Sequence, residues 1–246
     1  MKIYLDAGHG GNDPGACAGG LQEKDLTLEA ALQIGKRLEE AGVEVLYSRK
    51  GDVNAGEVSA RGRAAKGCDY FLSIHFNAGG GVGSEIYCNC RETIGATEAL
   101  LRDALKPLVG HRKIASRRYS NGGTVTREVA DKPPYRFAGT VNDTDYSGVL
   151  RGCWSVGVSG DLLEIAFIDS PANIAAYQQN KEKVWDAVAA AICAAYRVEM
   201  PAPAAPAPGA PLYEVTVGPV SGGDKKALEA LAKEMAVSCH AVEVKG

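Results

Sequence analysis

Two histidines and two glutamates in this sequence have the side chains that metal-dependent hydrolysis needs. They are His9, Glu23, His75 and Glu164. Two histidines and one carboxylate form a recurrent catalytic zinc site, which leaves a fourth position for water. A second carboxylate that does not bind the metal can take a proton from that water and pass it to the leaving amine. Glu164 suits this role, because a carboxylate inside the apolar segment 161–168 is costly unless it is paired or faces a cavity.

Each of these residues also has a structural explanation when it is considered alone. His9 and His75 could be buried histidines whose ring nitrogens are hydrogen-bonded within the protein. Glu23 could be an acid at the start of a helix, where the helix dipole favours negative charge. The spacing does not assign the ligands, since they lie far apart in the sequence. The joint pattern favours a metal, because two of only four histidines come at the ends of predicted strands.

The elements that would position these residues alternate between strands and helices. Predicted strands cover residues 3–6, 43–48, 69–75, 85–88 and 162–168, and predicted helices cover residues 25–41, 57–66, 92–109 and 171–197. This alternation predicts a layered α/β domain over residues 1–198, with a mostly parallel sheet and helices on both faces. Parallel strands end at one edge of a sheet, so His9, His75 and Glu164 are predicted to share a site there.

Residues 110–161 do not fit this pattern. The segment has few periodic apolar residues and is rich in Arg, Gly, Asn, Asp and Thr. It is too long for a plain connection, because structureless loops of more than about 15 residues tend to be functional. We interpret it as surface loops and short strands that flank the site and shape substrate specificity.

The C-terminal part of the sequence has a different composition. Residues 199–211 are rich in proline and alanine and predict an extended linker. Residues 212–246 predict a small strand–helix–strand module, with strands at 212–217 and 240–244 and a helix at 224–237. A core rarely stands alone below about 40 residues. The module is therefore expected to self-associate, to dock on the main domain or to fold on its target.

Composition and charge argue against several classes of protein. The net charge of -3 provides no basic surface for nucleic acid. No apolar run reaches the ~20 residues that a membrane-spanning helix needs. Seven cysteines, an odd number, indicate reduced thiols better than a disulfide framework. The sequence opens directly on a predicted strand, so we expect synthesis in the cytoplasm without a signal peptide.

Four separated motifs resemble the zinc-dependent N-acetylmuramoyl-L-alanine amidases of the amidase-3 type. The motifs are Gly8–Ala16, Glu23–Leu28, Ser73–Ala78 and Leu163–Ile168, and they follow the order found in that family. The resemblance covers roughly residues 1–198. It implies zinc bound by His9, Glu23 and His75, with Glu164 as the catalytic acid/base. It also implies hydrolysis of the amide between muramic acid and L-alanine in peptidoglycan.

Three further residues are candidates for substrate contacts. Arg49 and Arg61 fall where the family pattern has arginines, and they could bind the acidic stem peptide or form structural ion pairs. Asn77 could hydrogen-bond the substrate or fix a turn. Ala166 and residues 169–170 differ from the family's usual residues. These differences concern the fit of the substrate rather than the metal.

The resemblance leaves alternatives for the function of the whole chain. A chain made without a signal peptide favours a phage or prophage endolysin, which reaches the cell wall after release through a membrane pore made by another protein. A zinc peptidase that cuts within the stem peptide would use the same ligands, and a catalytically inactive wall-binding module is a third possibility. Residues 212–246 resemble half of a sporulation-related repeat, which implies peptidoglycan binding, whereas homo-oligomer formation would explain the same amphipathic pattern.

Overall fold

A computed structural model of the chain describes residues 1–92, 95–120, 123–128, 144–201, 215–220 and 239–243. The chain divides into two compact units, Met1–Met200 and Pro201–Gly246. None of the described helices is both long enough and apolar enough to cross a membrane. The cysteines whose side chains are described are all free thiols, and all but Cys17 are buried.

Strands and helices alternate through the first unit. The strands are β1 (Lys2–Ala7), β2 (Cys17–Ala18), β3 (Leu21–Gln22), β4 (Glu44–Tyr47), β5 (Tyr70–Asn77), β6 (Ser84–Cys88), β7 (His111–Ser120), β8 (Gly123–Glu128) and β9 (Gly160–Phe167). The helices are α1 (Glu23–Glu40), α2 (Val58–Arg63), α3 (Ala96–Val109), α4 (Gly148–Ser155) and α5 (Pro171–Ala195).

Seven of these strands form one sheet, in the order β4-β1-β5-β9-β6-β7-β8. The strands β4, β1, β5 and β9 are mutually parallel, while β6 runs antiparallel to β9 and β8 antiparallel to β7. The predicted α/β fold with a mostly parallel sheet is therefore confirmed. Because β1, β5 and β9 run in the same direction, the residues at their carboxyl ends meet at one edge.

Helices cover both faces of the sheet, as predicted. Successive strand residues point to opposite faces, so Ile3 and Leu72 pack in a core with α1, α3 and α5. Tyr4 and Phe71 pack in a second core beside Val149 of α4, which in turn packs on α2. The face of β5 and β9 that carries Phe71 is the one that also presents the polar residues described below.

The middle of the sequence is more regular than expected. Residues 110–161 were predicted as loops and short strands, but the ten-residue strand β7, its partner β8 and the helix α4 all lie there. The prediction was wrong because β7 lies near the sheet edge, where charged side chains are tolerated. Among residues 111–119 of β7, only Ile114, Ala115 and Ser116 are buried. Residues 129–143 lie outside the described residues.

The second unit contains a parallel pair of strands, β10 (Val215–Val220) and β11 (Cys239–Glu243). These strands overlap the two predicted at 212–217 and 240–244. The helix predicted over residues 224–237 lies outside the described residues.

Candidate metal centre

His9 follows β1 in a tight glycine-rich turn. Its backbone φ is +61°, a left-handed conformation that non-glycine residues adopt rarely and that is often found at functional sites. The ring atom Nδ1 lies 2.8 Å from Oδ2 of Asp13. The other ring atom, Nε2, lies 3.1 Å from Oε2 of Glu23. A carboxylate that fixes one nitrogen while the other faces the site is the usual arrangement around a metal-binding histidine.

Glu23 connects the two histidines. Its side chain is buried, with 4% of the residue exposed, and Oε1 lies 2.9 Å from Nδ1 of His75. The backbone N–H groups of Phe76 and Ala16 donate to Oε1 and Oε2 over 3.0 and 2.9 Å. Burial alone would raise the pKa of Glu23, but the hydrogen bonds from the two histidines outweigh it and lower the pKa. The side chain therefore carries a negative charge that suits a cation.

Glu23 is also the first residue of α1, which begins two positions before the predicted start at Asp25. An acid in the first turn of a helix is stabilised by the helix dipole. Glu23 can therefore stabilise the start of the helix and bind a metal at the same time, because its carboxylate lies at the helix start and between the two imidazoles.

His75 lies near the carboxyl end of β5. Its ring meets that of His9 edge to face, with 5.0 Å between the centroids and 82° between the planes. The ring packs directly on Gly8, where an added Cβ would lie 2.4 Å from Cε1 of His75. Glycine at position 8 is therefore what allows the imidazole to approach β1.

His9, Glu23 and His75 offer one ligand atom each within 4.8 Å of one another. Two imidazole nitrogens and one carboxylate oxygen are a donor set that zinc prefers. Elsewhere in the described ranges, Cys88, Glu98 and Asp161 meet the same distance criterion. Burial raises the pKa of each of those three side chains and favours their neutral forms, so they fit a cation less well.

Glu164 lies on β9, directly in register with His75 on β5. Paired residues of neighbouring strands point to the same face of the sheet, so the side chains of Glu164 and His75 lie on the same face. Its Oε2 atom is buried, and no described group hydrogen-bonds to it. Burial raises the pKa of Glu164 to about 7. A carboxyl group with such a pKa is suited to take and release a proton near neutral pH.

Asn77, at the end of β5, lines the same cavity as Glu164. Its Nδ2 donates to Oε2 of Glu85 over 2.9 Å, and its Oδ1 accepts from the backbone N–H of Ala78. The amide is therefore held in one orientation at the wall of the cavity. Both proposed roles, fixing the turn and facing the substrate, agree with this position.

Arg49 points into the protein interior. Its guanidinium group donates to the backbone carbonyls of Ala7, Gly8 and Lys24 over 3.2, 2.9 and 2.7 Å. It also donates to Oγ1 of Thr27 over 3.0 Å. These contacts fasten the end of β1 to the start of α1, the two segments that carry His9 and Glu23. Arg49 thus has a structural role, and its described contacts do not include an approach to the candidate site.

Arg61 forms a buried ion pair. Its Nη2 donates to Oδ2 of Asp6 over 3.0 Å, and Oγ of Ser73 donates to the same oxygen over 2.7 Å. Asp6 is completely buried and Arg61 is 9% exposed. The arginine therefore neutralises an acid inside the domain, which is the structural alternative considered for it above.

Comparison with known proteins agrees with this geometry. The family described as N-acetylmuramoyl-L-alanine amidase, Amidase_3, matches residues 3–194. The chain belongs to this family. The resemblance inferred from the four motifs is thereby confirmed, and residues 3–194 are called the amidase-3 domain below.

Individual relatives match shorter stretches of the amidase-3 domain. The amidase CwlM of Bacillus licheniformis is 48% identical over 109 residues, which is 43% of this chain and 42% of CwlM. The endolysin of Bacillus phage SPP1 is 36% identical over 110 residues, 42% of this chain and 41% of the endolysin. The chain thus matches less than half the length of either relative.

The fold is also that of solved amidase structures. The amidase AmiC2 of Nostoc punctiforme superposes with a TM-score of 0.59 at 21% identity. The superposition covers 80% of this chain and 97% of AmiC2.

Two residues of the amidase-3 domain support the site but were not singled out in the sequence. Asp13 orients His9. The sequence feature that points to this role is the position of Asp13, four residues after that histidine in the first motif. Glu85 is buried in register with Glu164 and accepts hydrogen bonds from Asn77, Tyr87 and Arg112. The sequence indicates a role for Glu85 less clearly, since a glutamate in a short strand is usually exposed.

Replacing Gly8 with alanine is expected to weaken metal binding at the candidate centre by about 10- to 100-fold, the range found when a group that orients a ligand is lost. The new methyl group would overlap the His75 ring and push it from its position. Zinc retained per chain after dialysis against a weak chelator measures this. Gly51→Ala is the matched control, because no atom lies within 4 Å of a Cβ there. Equal zinc retention by the two variants would contradict the packing argument.

Proposed function

We propose that the chain is a zinc-dependent peptidoglycan hydrolase that cleaves the amide between N-acetylmuramic acid and L-alanine. The observation that carries this proposal is the buried Oε2 atom of Glu164, which has no described hydrogen-bond partner, on a residue in register with His75. Burying such a group destabilises the fold. Its position beside a candidate metal centre offers a functional reason for this destabilising residue. Membership of the amidase-3 family and the similarity to CwlM support the choice of bond.

In this proposal His9, Glu23 and His75 hold the metal, and Glu164 moves the proton. Bound zinc would supply a Lewis acid and lower the pKa of water. Glu164 takes a proton from water and returns it to the amide nitrogen as the bond to L-alanine breaks. Asp13 keeps the His9 ring oriented, and Asn77 faces the substrate from the wall of the cavity.

We further propose that the protein acts on the host cell wall as a phage or prophage endolysin. The similarity to the SPP1 endolysin supports this, although a sporulation-specific amidase of Bacillus subtilis is 50% identical over 91 residues, 35% of each chain. The unit Pro201–Gly246 would then bind the wall or associate with a second copy.

Digestion of purified peptidoglycan tests the proposed bond. We expect stem peptides with a free N-terminal L-alanine and no new reducing sugar ends, measured by mass spectrometry and amine labelling. Activity should disappear on removal of the metal by a chelator and return with zinc. Release of fragments cut within the stem peptide would instead identify a peptidase. Binding to the wall without any cleavage would identify an inactive module.

A further inference from the structure

The segment between β4 and α2 lies outside the four motifs, yet it contacts the turn that carries His9. The backbone N–H of Gly11 donates to Oδ1 of Asp52 over 2.7 Å, and that of Asn12 donates to Oδ1 of Asn54 over 3.0 Å. The approach is close, because a Cβ added at Gly11 would lie 2.2 Å from Oδ1 of Asn54. Two successive N–H groups of the turn are thus held by side chains 41 and 42 positions further along the chain.

Lys24 connects the same segment to the start of α1. Its Nζ atom donates to Oδ2 of Asp52 over 2.7 Å and to the backbone carbonyl of Gly11 over 3.0 Å. The Lys24 side chain is largely buried, while its partner Asp52 is half-exposed. Because Lys24 directly follows Glu23, this ion pair connects the glycine-rich turn with the residue next to the second candidate ligand.

The turn needs support of this kind because its backbone is strained. His9 has a positive φ, and a non-glycine residue keeps such a conformation only when its surroundings hold it there. Inside the turn, Gly10 and Asp13 exchange backbone hydrogen bonds over 2.9 and 3.1 Å. Three side chains then hold the turn from outside, and we call them the support cluster: Lys24, Asp52 and Asn54.

The support cluster adds no net charge beside the candidate metal centre. The hydrogen bond from Lys24 lowers the pKa of Asp52, and the backbone N–H of Gly11 lowers it further. Asp52 is therefore ionised near neutral pH, and its negative charge offsets the positive charge of Lys24. We expect the influence of the cluster on a bound metal to come from geometry rather than from charge.

Resting on the proposed function, we propose that Asp52 and Lys24 are positioning residues for the metal centre, which hold the turn of His9 against the start of α1. The distance between His9 and Glu23 is then set before a metal binds. Such preorganisation strengthens metal binding, because the apparent affinity falls with the fraction of molecules whose site is formed. Neither Asp52 nor Lys24 is among the converging ligand residues, so both act through the backbone of the turn.

Zinc affinity of the full chain, measured by competition with a chromophoric chelator, tests this proposal without any substrate. We expect Asp52→Ala and Lys24→Met each to raise the Kd for zinc by about tenfold, the lower end of the range for losing a group that orients a ligand. A pure charge effect predicts opposite signs, because loss of an acid weakens the binding of a cation and loss of a lysine strengthens it. Weaker binding by both variants therefore supports positioning.

The double variant tests whether the two residues act together. Asp52→Ala and Lys24→Met remove the same ion pair, so the double variant should have a Kd for zinc within about twofold of the weaker single variant. Two losses that multiply would show independent effects and would overturn the proposed pair.

Asp186→Ala is the matched control. Asp186 also forms an ion pair with a basic residue of α1, but this residue is Arg37, at the opposite end of the helix from Glu23. The control should leave the Kd for zinc within about twofold of wild type. Thermal unfolding of each metal-free variant shows whether it is folded. Asp52→Asn keeps an oxygen that can accept from the turn, so it replaces Asp52→Ala if that variant does not fold, and it should cause a smaller loss.

The proposal is overturned if Lys24→Met binds zinc as tightly as wild type or more tightly. It is also overturned if Asp52→Ala matches wild type or if Asp186→Ala causes the same loss. Failure of the proposed function gives a different result, because the wild type would then bind no zinc.

Discussion

Replacing Glu164 with glutamine is expected to lower kcat by about 10²- to 10⁴-fold, the usual contribution of a positioned acid/base. Glutamine has nearly the same shape but cannot take a proton from water. Because Glu164 is not among the three converging ligand residues, the variant should keep its zinc. Turnover of purified peptidoglycan and zinc per chain, measured on the same preparation, test both statements.

The same substitution is expected to leave the free energy of unfolding unchanged or to increase it. Oε2 of Glu164 is buried without a hydrogen-bond partner in the described structure, and a neutral amide costs less to bury than an ionised carboxylate. Loss of activity with retained or higher stability is the pattern of a residue kept for function. The midpoint of thermal unfolding measures it.

Glu44→Gln is the matched control for Glu164. It also replaces a strand glutamate, but Glu44 forms a surface ion pair with Lys2 at 2.7 Å. We expect unchanged turnover, because this pair lies at the opposite end of β1 from His9. Full activity in Glu164→Gln would remove Glu164 from the mechanism. Joint loss of zinc and activity would show instead that Glu164 helps to hold the metal.

Replacing Arg61 with alanine is expected to lower the free energy of unfolding by about 3–5 kcal/mol, the cost of removing one partner of a buried ion pair. Asp6 would be left inside the domain with only the Ser73 hydroxyl as its described side-chain partner. KM per folded molecule should stay close to that of wild type, because Arg61 contacts protein rather than substrate. Urea unfolding and kinetics at low temperature measure the two effects.

Arg63→Ala is the control variant, and it separates the effect of losing a buried ion pair from that of losing an exposed one. Arg63 lies on the same helix, is about half exposed and pairs with Glu57 at the surface, so its loss should cost less than about 1 kcal/mol. A variant Arg61→Ala with wild-type stability but a much higher KM would restore the earlier interpretation of Arg61 as a contact for the stem peptide.

The parts of the fold that the sequence predicts well are the central ones. The apolar runs around Leu5, Leu72 and Leu163 predict buried strands because strands covered on both faces contain few polar residues. Polar residues that interrupt such runs, His75 and Glu164, are conspicuous for the same reason. The sequence alone therefore predicts the candidate centre at one edge of the sheet.

The parts that the sequence predicts poorly depend on distant partners. Arg61 is recognisable as structural only once Asp6, 55 positions away, lies beside it. Strand β7 alternates weakly, since it lies next to the edge strand β8 and carries the half-buried Arg117 and Arg118. The role of Glu85 follows from its register with Glu164, which the sequence does not specify.

Strand β6 lies in the middle of the sheet and runs antiparallel to its neighbour β9. Strand β9, which carries Glu164, is held between β5 and β6, so the proton-transfer group sits on an interior strand. Arg117, Tyr119 and Tyr146, which line the same cavity as Glu164, lie on β7 and the segment before α4, towards the other margin of the sheet. We therefore expect substitutions at that margin to leave the position of Glu164 unchanged, because β5 and β6 hold β9 on both sides.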